Sequence, residues 1–77
     1  MAEPNRLRDS SINVLAAAFK IQREDVVRDV QTVLAWQEPT DDLLVWLCRR
    51  HSWQAELAVV YLINIRRKMQ ADDSSVM

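Results

Sequence analysis

Glycine is absent from this chain of 77 residues, and proline occurs only twice. Glycine is the residue that most readily adopts the positive φ angles of tight β-hairpin turns, so its absence disfavours a fold rich in such turns. Hydrophobic residues make up 49% of the sequence, which is enough to build a core. The composition therefore predicts a small all-α domain whose helices are joined by short connections.

The longest apolar segment runs from Thr40 to Gln70. Between Leu57 and Ile65 its only polar side chains are Tyr61 and Asn64. A helix that turns about 100° per residue carries apolar side chains on nearly all sides over this segment. Such a helix has to be covered by other protein.

Charged residues at both ends of this segment fit a single helix over residues 40–70. Thr40 can cap its start, and Asp41 and Asp42 lie in the first turn, where the helix dipole favours negative charge. The basic residues at 66–68 fall in the last turn, where positive charge is favoured. Polar residues cluster at 50–52, where the pattern is compatible with a kink.

Two shorter helices are predicted before this segment, at about 11–20 and 23–37. Each has one apolar face at helical spacing, formed by Ile12, Leu15, Ala16 and Phe19 in the first and by Val26, Val27, Val30, Val33 and Leu34 in the second. The expected fold is a three-helix domain over residues 11–70, in which the two short helices pack on one long C-terminal helix. Residues 1–10 are predicted to form a flexible arm, and residues 71–77 a disordered tail.

Charge and cysteine content exclude several classes of protein. The formal net charge is −1, so there is no overall attraction to nucleic acid or to an anionic membrane. With one cysteine and one histidine, the chain cannot form an internal disulfide or a usual zinc cluster. A membrane span over residues 43–65 would bury three basic or imidazole groups and Glu56. We therefore expect a cytoplasmic protein without metal, cofactor or membrane partner.

No pattern of catalytic residues stands out. Cys48 and His51 are close enough on a helix to face one side, but a nucleophilic site also needs oxyanion donors and a cleft. Asp41 and Asp42 are adjacent, so their side chains diverge on a helix. No phosphate-binding loop, dinucleotide fingerprint or metalloprotease motif is present. We predict that the chain is not an enzyme and has no small-molecule substrate.

The segment from Leu15 to Arg28 resembles a helix-turn-helix unit. Residues 16, 19, 21 and 26 are apolar, as such units require at the positions they bury. Lys20 stands where the turn usually has glycine, and the second helix carries Glu24, Asp25 and Asp29, whose charge opposes binding to phosphates. The resemblance implies an alternative function as a small DNA-binding regulator.

A second resemblance rests on residues 12–20, on Gln37-Glu38-Pro39 and on Trp46. Together these look similar to the theta subunit of bacterial DNA polymerase III, which is a small three-helix accessory protein. The spacing between the pieces differs from that family, and the last helix predicted here is longer. No functional residue is carried across.

Apolar surface on the long helix exceeds what two short helices can cover. Large exposed apolar patches usually mark interaction sites. We therefore predict a non-catalytic protein–protein interaction module, an accessory, chaperone-like, inhibitory or regulatory subunit that binds itself or a protein partner through this helix. The residues predicted to make the contact are Trp46, Trp53, Leu57, Val60, Tyr61, Arg49 and Arg67.

Overall fold

The computed structural model describes the backbone of residues 7–74 and the side chains of residues 7–71. The described chain consists of four helices, α1 (Asp9–Phe19), α2 (Arg23–Ala35), α3 (Thr40–His51) and α4 (Ala55–Ser74), and contains no strand. The all-α prediction is confirmed. The prediction of three helices is wrong, because the segment predicted as one helix over residues 40–70 is divided between α3 and α4.

The division falls at Ser52, within the polar cluster at 50–52. Ser52 adopts the left-handed conformation with φ of 56°, and its N–H donates to the carbonyl oxygen of Cys48. The N–H of Trp53 donates to the same oxygen at 3.0 Å. These two bonds satisfy a carbonyl at the end of α3 and close the helix. The chain therefore does not kink here but stops one helix and starts another.

The connection between α1 and α2 has the same geometry. Lys20 also has φ of 56°, and the N–H groups of Lys20 and Ile21 both donate to the carbonyl oxygen of Ala16. The left-handed region costs a residue with a Cβ roughly 1–2 kcal/mol. Both connections are short, as the lack of glycine predicts, but their left-handed positions are held by lysine and serine.

The two left-handed residues, Lys20 and Ser52, are 32 residues apart, and this offset marks an internal repeat. Asp29 and Tyr61 are separated by the same 32 residues. Buried residues of the hairpin α1–α2 recur as buried residues of α3–α4 at this offset: Leu15 and Leu47, Val26 and Ala58, Val30 and Leu62, Val33 and Ile65. Few of the matched positions carry identical residues, so the repeat is not evident in the sequence. The fold consists of two matched helical hairpins.

Two contacts between the hairpins are related by the repeat offset. The ring of Phe19 packs edge-on against Tyr61, and His51 pairs with Asp29. The repeat offset converts the first contact into the second, which is what two similar units related by a twofold axis produce.

Both ends of the folded domain extend beyond the predicted limits. Leu7 is only 2% exposed and packs in the core, and α1 begins at Asp9, so residues 7–10 belong to the fold and not to a flexible arm. At the other end α4 continues to Ser74, so residues 71–74 of the predicted tail are helical. Residues 1–6 and 75–77 lie outside the described residues. Within residues 7–74, no helix has the length and apolar character that crossing a bilayer requires.

Candidate functional site

A buried carboxylate, that of Asp29 on α2, lies at the centre of the domain and is fully enclosed. Its Oδ1 accepts a hydrogen bond from Nε of Arg50 at 2.6 Å. Its Oδ2 lies 2.8 Å from Nε2 of His51 and accepts a hydrogen bond from the Tyr61 hydroxyl at 2.5 Å. One carboxylate therefore ties α2 to the end of α3 and to the middle of α4.

Arg50 is the main counter-charge of this carboxylate. Its Nη2 also donates to Oδ1 of Asp25 at 3.0 Å, and its guanidinium lies 5.4 Å from the centre of the Trp46 ring. Burial opposes the charge of Arg50, but the hydrogen bond to Asp29 and the nearby carboxylates outweigh it and raise the pKa of Arg50. Arg50 is therefore positively charged at neutral pH.

Tyr61 is held in its neutral form. Burial raises the pKa of Tyr61, and the hydrogen bond to Asp29 and the charge of that carboxylate raise it further. Its ring packs against Phe19 with centroids 4.9 Å apart, and the ring of His51 stacks on Trp53 at 4.2 Å. Every buried side-chain nitrogen and oxygen in the described part of the chain has a partner. We interpret the network as the polar lock between the two hairpins.

Three aromatic residues predicted to contact a partner lie in or beside this network. Tyr61 is fully buried, so it cannot contact a partner on the surface of this fold, and its prediction as a contact residue is corrected. Trp53 is half-buried in the turn after α3, and half-buried Trp46 packs near Trp36 with centroids 6.4 Å apart. Trp46 and Trp53 share one face only on a continuous helix, and the break at Ser52 removes that helix.

Asp29, the centre of the network, was not predicted from the sequence to be buried, and was counted only among the acids that oppose binding to phosphates. A positional signal did exist, because Asp29 lies three residues after Val26 and four before Val33, on the apolar face. An acid at such a position needs a buried partner. Its charge concealed this location.

Exposed apolar residues are concentrated on α4. Val60 is 48% exposed and Ile63 is 45% exposed. Glu56 and Arg67, both exposed, lie on the same side of the helix, one towards each end. At about 100° per residue these four side chains fall within a sector of roughly 60°. We call the row formed by Glu56, Val60, Ile63 and Arg67 the α4 face.

The α4 face contains two of the predicted contact residues, Val60 and Arg67. Leu57 is 39% exposed and lies at about 60° from Val60 around the helix, at the edge of the face. Arg49 is exposed but belongs to α3, so it does not lie on the same helix as Arg67. Ile63 and Glu56 were not among the predicted contact residues.

The matching surface of the other hairpin is polar. At the repeat offset, the positions of the α4 face correspond to exposed positions of α2, occupied by Glu24, Arg28, Gln31 and Ala35. The backbone environment is therefore compatible with arginine and glutamine at the sites where α4 carries Val60 and Ile63. The apolar character of the α4 face is not required by the fold.

Among the described residues, no group of three His, Cys, Asp or Glu side chains is placed to hold a metal ion. Nε2 of His51 faces Asp29, and Cys48 is half-buried.

Comparisons of the chain with protein-family models, with curated proteins and with solved structures found no match.

Proposed function

We propose that this chain is a non-catalytic interaction module that binds a helix of a protein chain through the α4 face. The observation that carries the proposal is the half-exposure of Val60 and Ile63 at positions where the matched helix α2 carries polar residues. Full burial of such a side chain is worth about 1.5–3 kcal/mol. Covering the remaining half of each side chain therefore gives a partner a favourable contact of about 1 kcal/mol per residue.

A helix is the partner element that this surface fits best. The α4 face is a straight row with apolar residues at its centre and one charge at each end, the arrangement typical of helix-to-helix recognition. Charged ends favour one orientation and speed the encounter more than they add affinity. A module of this kind acts by occupying its partner, as a cytoplasmic accessory, chaperone-like, inhibitory or regulatory subunit does.

Site-specific photocrosslinking tests this proposal. A benzophenone amino acid placed at position 60 should give a discrete crosslinked adduct in cells of the native host. The same group at position 14, where Val14 is 54% exposed on α1, is the matched control and should give none. Adding Ile63→Gln, which copies the residue of the matched helix, should abolish the adduct from position 60. The proposal fails if position 60 gives no more adduct than position 14.

A specific observation favours DNA binding as the second candidate function. Lys20 adopts the left-handed conformation that glycine usually supplies in a helix-turn-helix turn. Two of the three acids that oppose phosphate binding are paired with Arg50, the buried Asp29 at 2.6 Å and the partly exposed Asp25 at 3.0 Å. Of the three, only Glu24 keeps its charge free of an ion pair within the described residues.

The DNA-binding hypothesis predicts a measurable dependence on salt. Fluorescence anisotropy with a duplex of mixed sequence should show binding at low salt that weakens steeply as salt rises. Arg28→Gln on α2 should weaken it, while Arg66→Gln on α4 should not. Absence of binding at low salt would exclude this candidate.

A further inference from the structure

We propose that the helix that binds the α4 face is α4 of a second copy of this chain, in antiparallel orientation. This inference rests on the proposed function of that face and names its partner. The observation behind it is that the α4 face is complementary to itself. The intervals between Glu56, Val60, Ile63 and Arg67 read the same from either end, with apolar residues in the middle and opposite charges at the two ends.

An antiparallel pair satisfies all four positions at once. A twofold axis midway between Val60 and Ile63 puts Val60 of one copy against Ile63 of the other. The same axis puts Glu56 of each copy against Arg67 of the other, so two equivalent ion pairs close the ends of the contact. Self-complementary contact of this kind is what a twofold dimer interface requires.

A parallel pair is disfavoured by the same charges. It would bring the two Glu56 side chains together at one end and the two Arg67 side chains together at the other. Like charges facing each other across an interface oppose association. The charge pattern therefore selects the orientation as well as the partner.

Glu56 and Arg67 are available for this role. Within the described residues neither takes part in an ion pair, whereas Arg23 pairs with Asp9 and Arg50 pairs with Asp29. The small net charge of −1 also leaves little overall repulsion between two copies. A different protein could fit this face only by carrying a complementary row of its own, which a second copy already has.

Sedimentation equilibrium of charge-reversed variants tests both partner and register. The wild-type chain should form a dimer whose dissociation constant rises roughly tenfold in Glu56→Lys and in Arg67→Glu, because each change turns two attractive pairs into repulsive ones. The double variant, with both changes, should return close to the wild-type value. In a parallel pair the single changes would leave the dissociation constant unchanged.

Two further variants complete the design. Val60→Arg with Ile63→Gln, the residues that the matched helix carries, should raise the dissociation constant at least about 100-fold while circular dichroism confirms intact helices. Glu24→Lys, a charge reversal at the matched position of α2, is the control and should leave the dimer unchanged.

The outcomes separate this inference from the proposed function. A monomer at all soluble concentrations, with position 60 crosslinking to a different protein, overturns the inference and leaves the proposed function standing. A dimer that is unaffected by the substitutions at Val60 and Ile63, with no specific adduct from position 60, overturns both. A dimer that needs Val60 and Ile63 but ignores both single charge reversals overturns the antiparallel register.

Discussion

Replacing Asp29 by asparagine should lower the free energy of unfolding by about 3 kcal/mol. The amide has nearly the same size as the carboxylate but carries no charge, and one of its two polar ends is a donor. In the wild-type protein both carboxylate oxygens accept hydrogen bonds. Oδ1 accepts from Arg50 at 2.6 Å, and Oδ2 accepts from the Tyr61 hydroxyl at 2.5 Å and lies 2.8 Å from Nε2 of His51. Either orientation of the amide therefore points its NH2 group at a group that donates in the wild-type protein.

The magnitude follows from what stays behind in the interior. Removing one partner of a buried ion pair typically costs about 3–5 kcal/mol, because the other charge is left uncompensated. Arg50 is 19% exposed and keeps Asp25 as a second partner at 3.0 Å, so the lower end of that range applies. A domain of this length has an unfolding free energy of about 4–12 kcal/mol in total. The substitution removes a large fraction of it.

Urea unfolding followed by far-ultraviolet circular dichroism measures the effect. Glu38→Gln, in the exposed connection between α2 and α3, is the control and should change the unfolding free energy by less than about 0.5 kcal/mol. Arg50→Met, combined with Asp29→Asn, should cost less than the sum of the two single changes, because both remove the same interaction. A loss below about 1 kcal/mol for Asp29→Asn, at an unchanged denaturant slope, would refute the assignment of this carboxylate as the tie between hairpins.

Three other perturbations test separate features of the fold. Tyr61 is the only tyrosine, and burial raises its pKa above the ordinary 10.0, so the folded state keeps a proton that the unfolded state releases. Its contribution to stability is full below about pH 10 and falls as pH rises further, and tyrosinate absorbance should appear together with helix loss and not before it. Ser52→Gly should stabilise the domain by about 0.5–1 kcal/mol in urea unfolding by relieving the left-handed conformation, whereas Ser10→Gly within α1 should destabilise it. Leu7→Ala should cost about 2–3 kcal/mol in the same measurement, and no loss would show that the segment before α1 does not stabilise the core.

Local pattern was sufficient to predict the first two helices. The predicted helix at about 11–20 corresponds to α1, and the one at 23–37 corresponds to α2. Three of the four helix ends differ from the prediction by one or two residues, and the fourth coincides with it. Their apolar faces give Ile12, Leu15, Val26, Val30 and Val33, all buried in the core. Amphipathic spacing works here because each helix has one covered side and one exposed side.

The break between α3 and α4 could not be predicted in the same way. The segment over residues 40–70 is apolar on nearly every side when drawn as one helix, because two different apolar faces are superimposed. A left-handed residue was not expected without glycine, yet Ser52 holds that conformation at a cost of roughly 1–2 kcal/mol. Packing of α4 back against α3 and α1 offsets this cost, and that packing is not encoded in the local pattern.

Partners of Asp29 lie still further from local pattern. Arg50, His51 and Tyr61 are 21, 22 and 32 residues away along the chain. The position of Asp29 around the helix indicates burial, but only the contact between the two hairpins identifies which groups surround it.

The α4 face could be predicted from the sequence only in part. Its apolar excess was evident from the sequence, and its boundaries required the separation of α4 from α3.

The lock between the hairpins also explains why one central pair of matched positions carries unlike residues. Asp29 and Tyr61 occupy matched positions and bond to each other. Identical residues could not do this, because two buried carboxylates would repel and two tyrosines would leave no charged acceptor for Arg50. The hydrogen bond between Asp29 and Tyr61 thus requires these two matched positions to differ.

Divergence between the hairpins extends from the interior to the surface. At matched exposed positions, α2 carries Arg28 and Gln31, whereas α4 carries Val60 and Ile63. The interior needs unlike residues for the hairpins to bond to each other, but nothing inside the domain requires the outer sides of α2 and α4 to differ. Since only α4 of the two matched helices carries this apolar row, the proposed pairing through the α4 face would close at two copies and would not propagate into a chain of molecules.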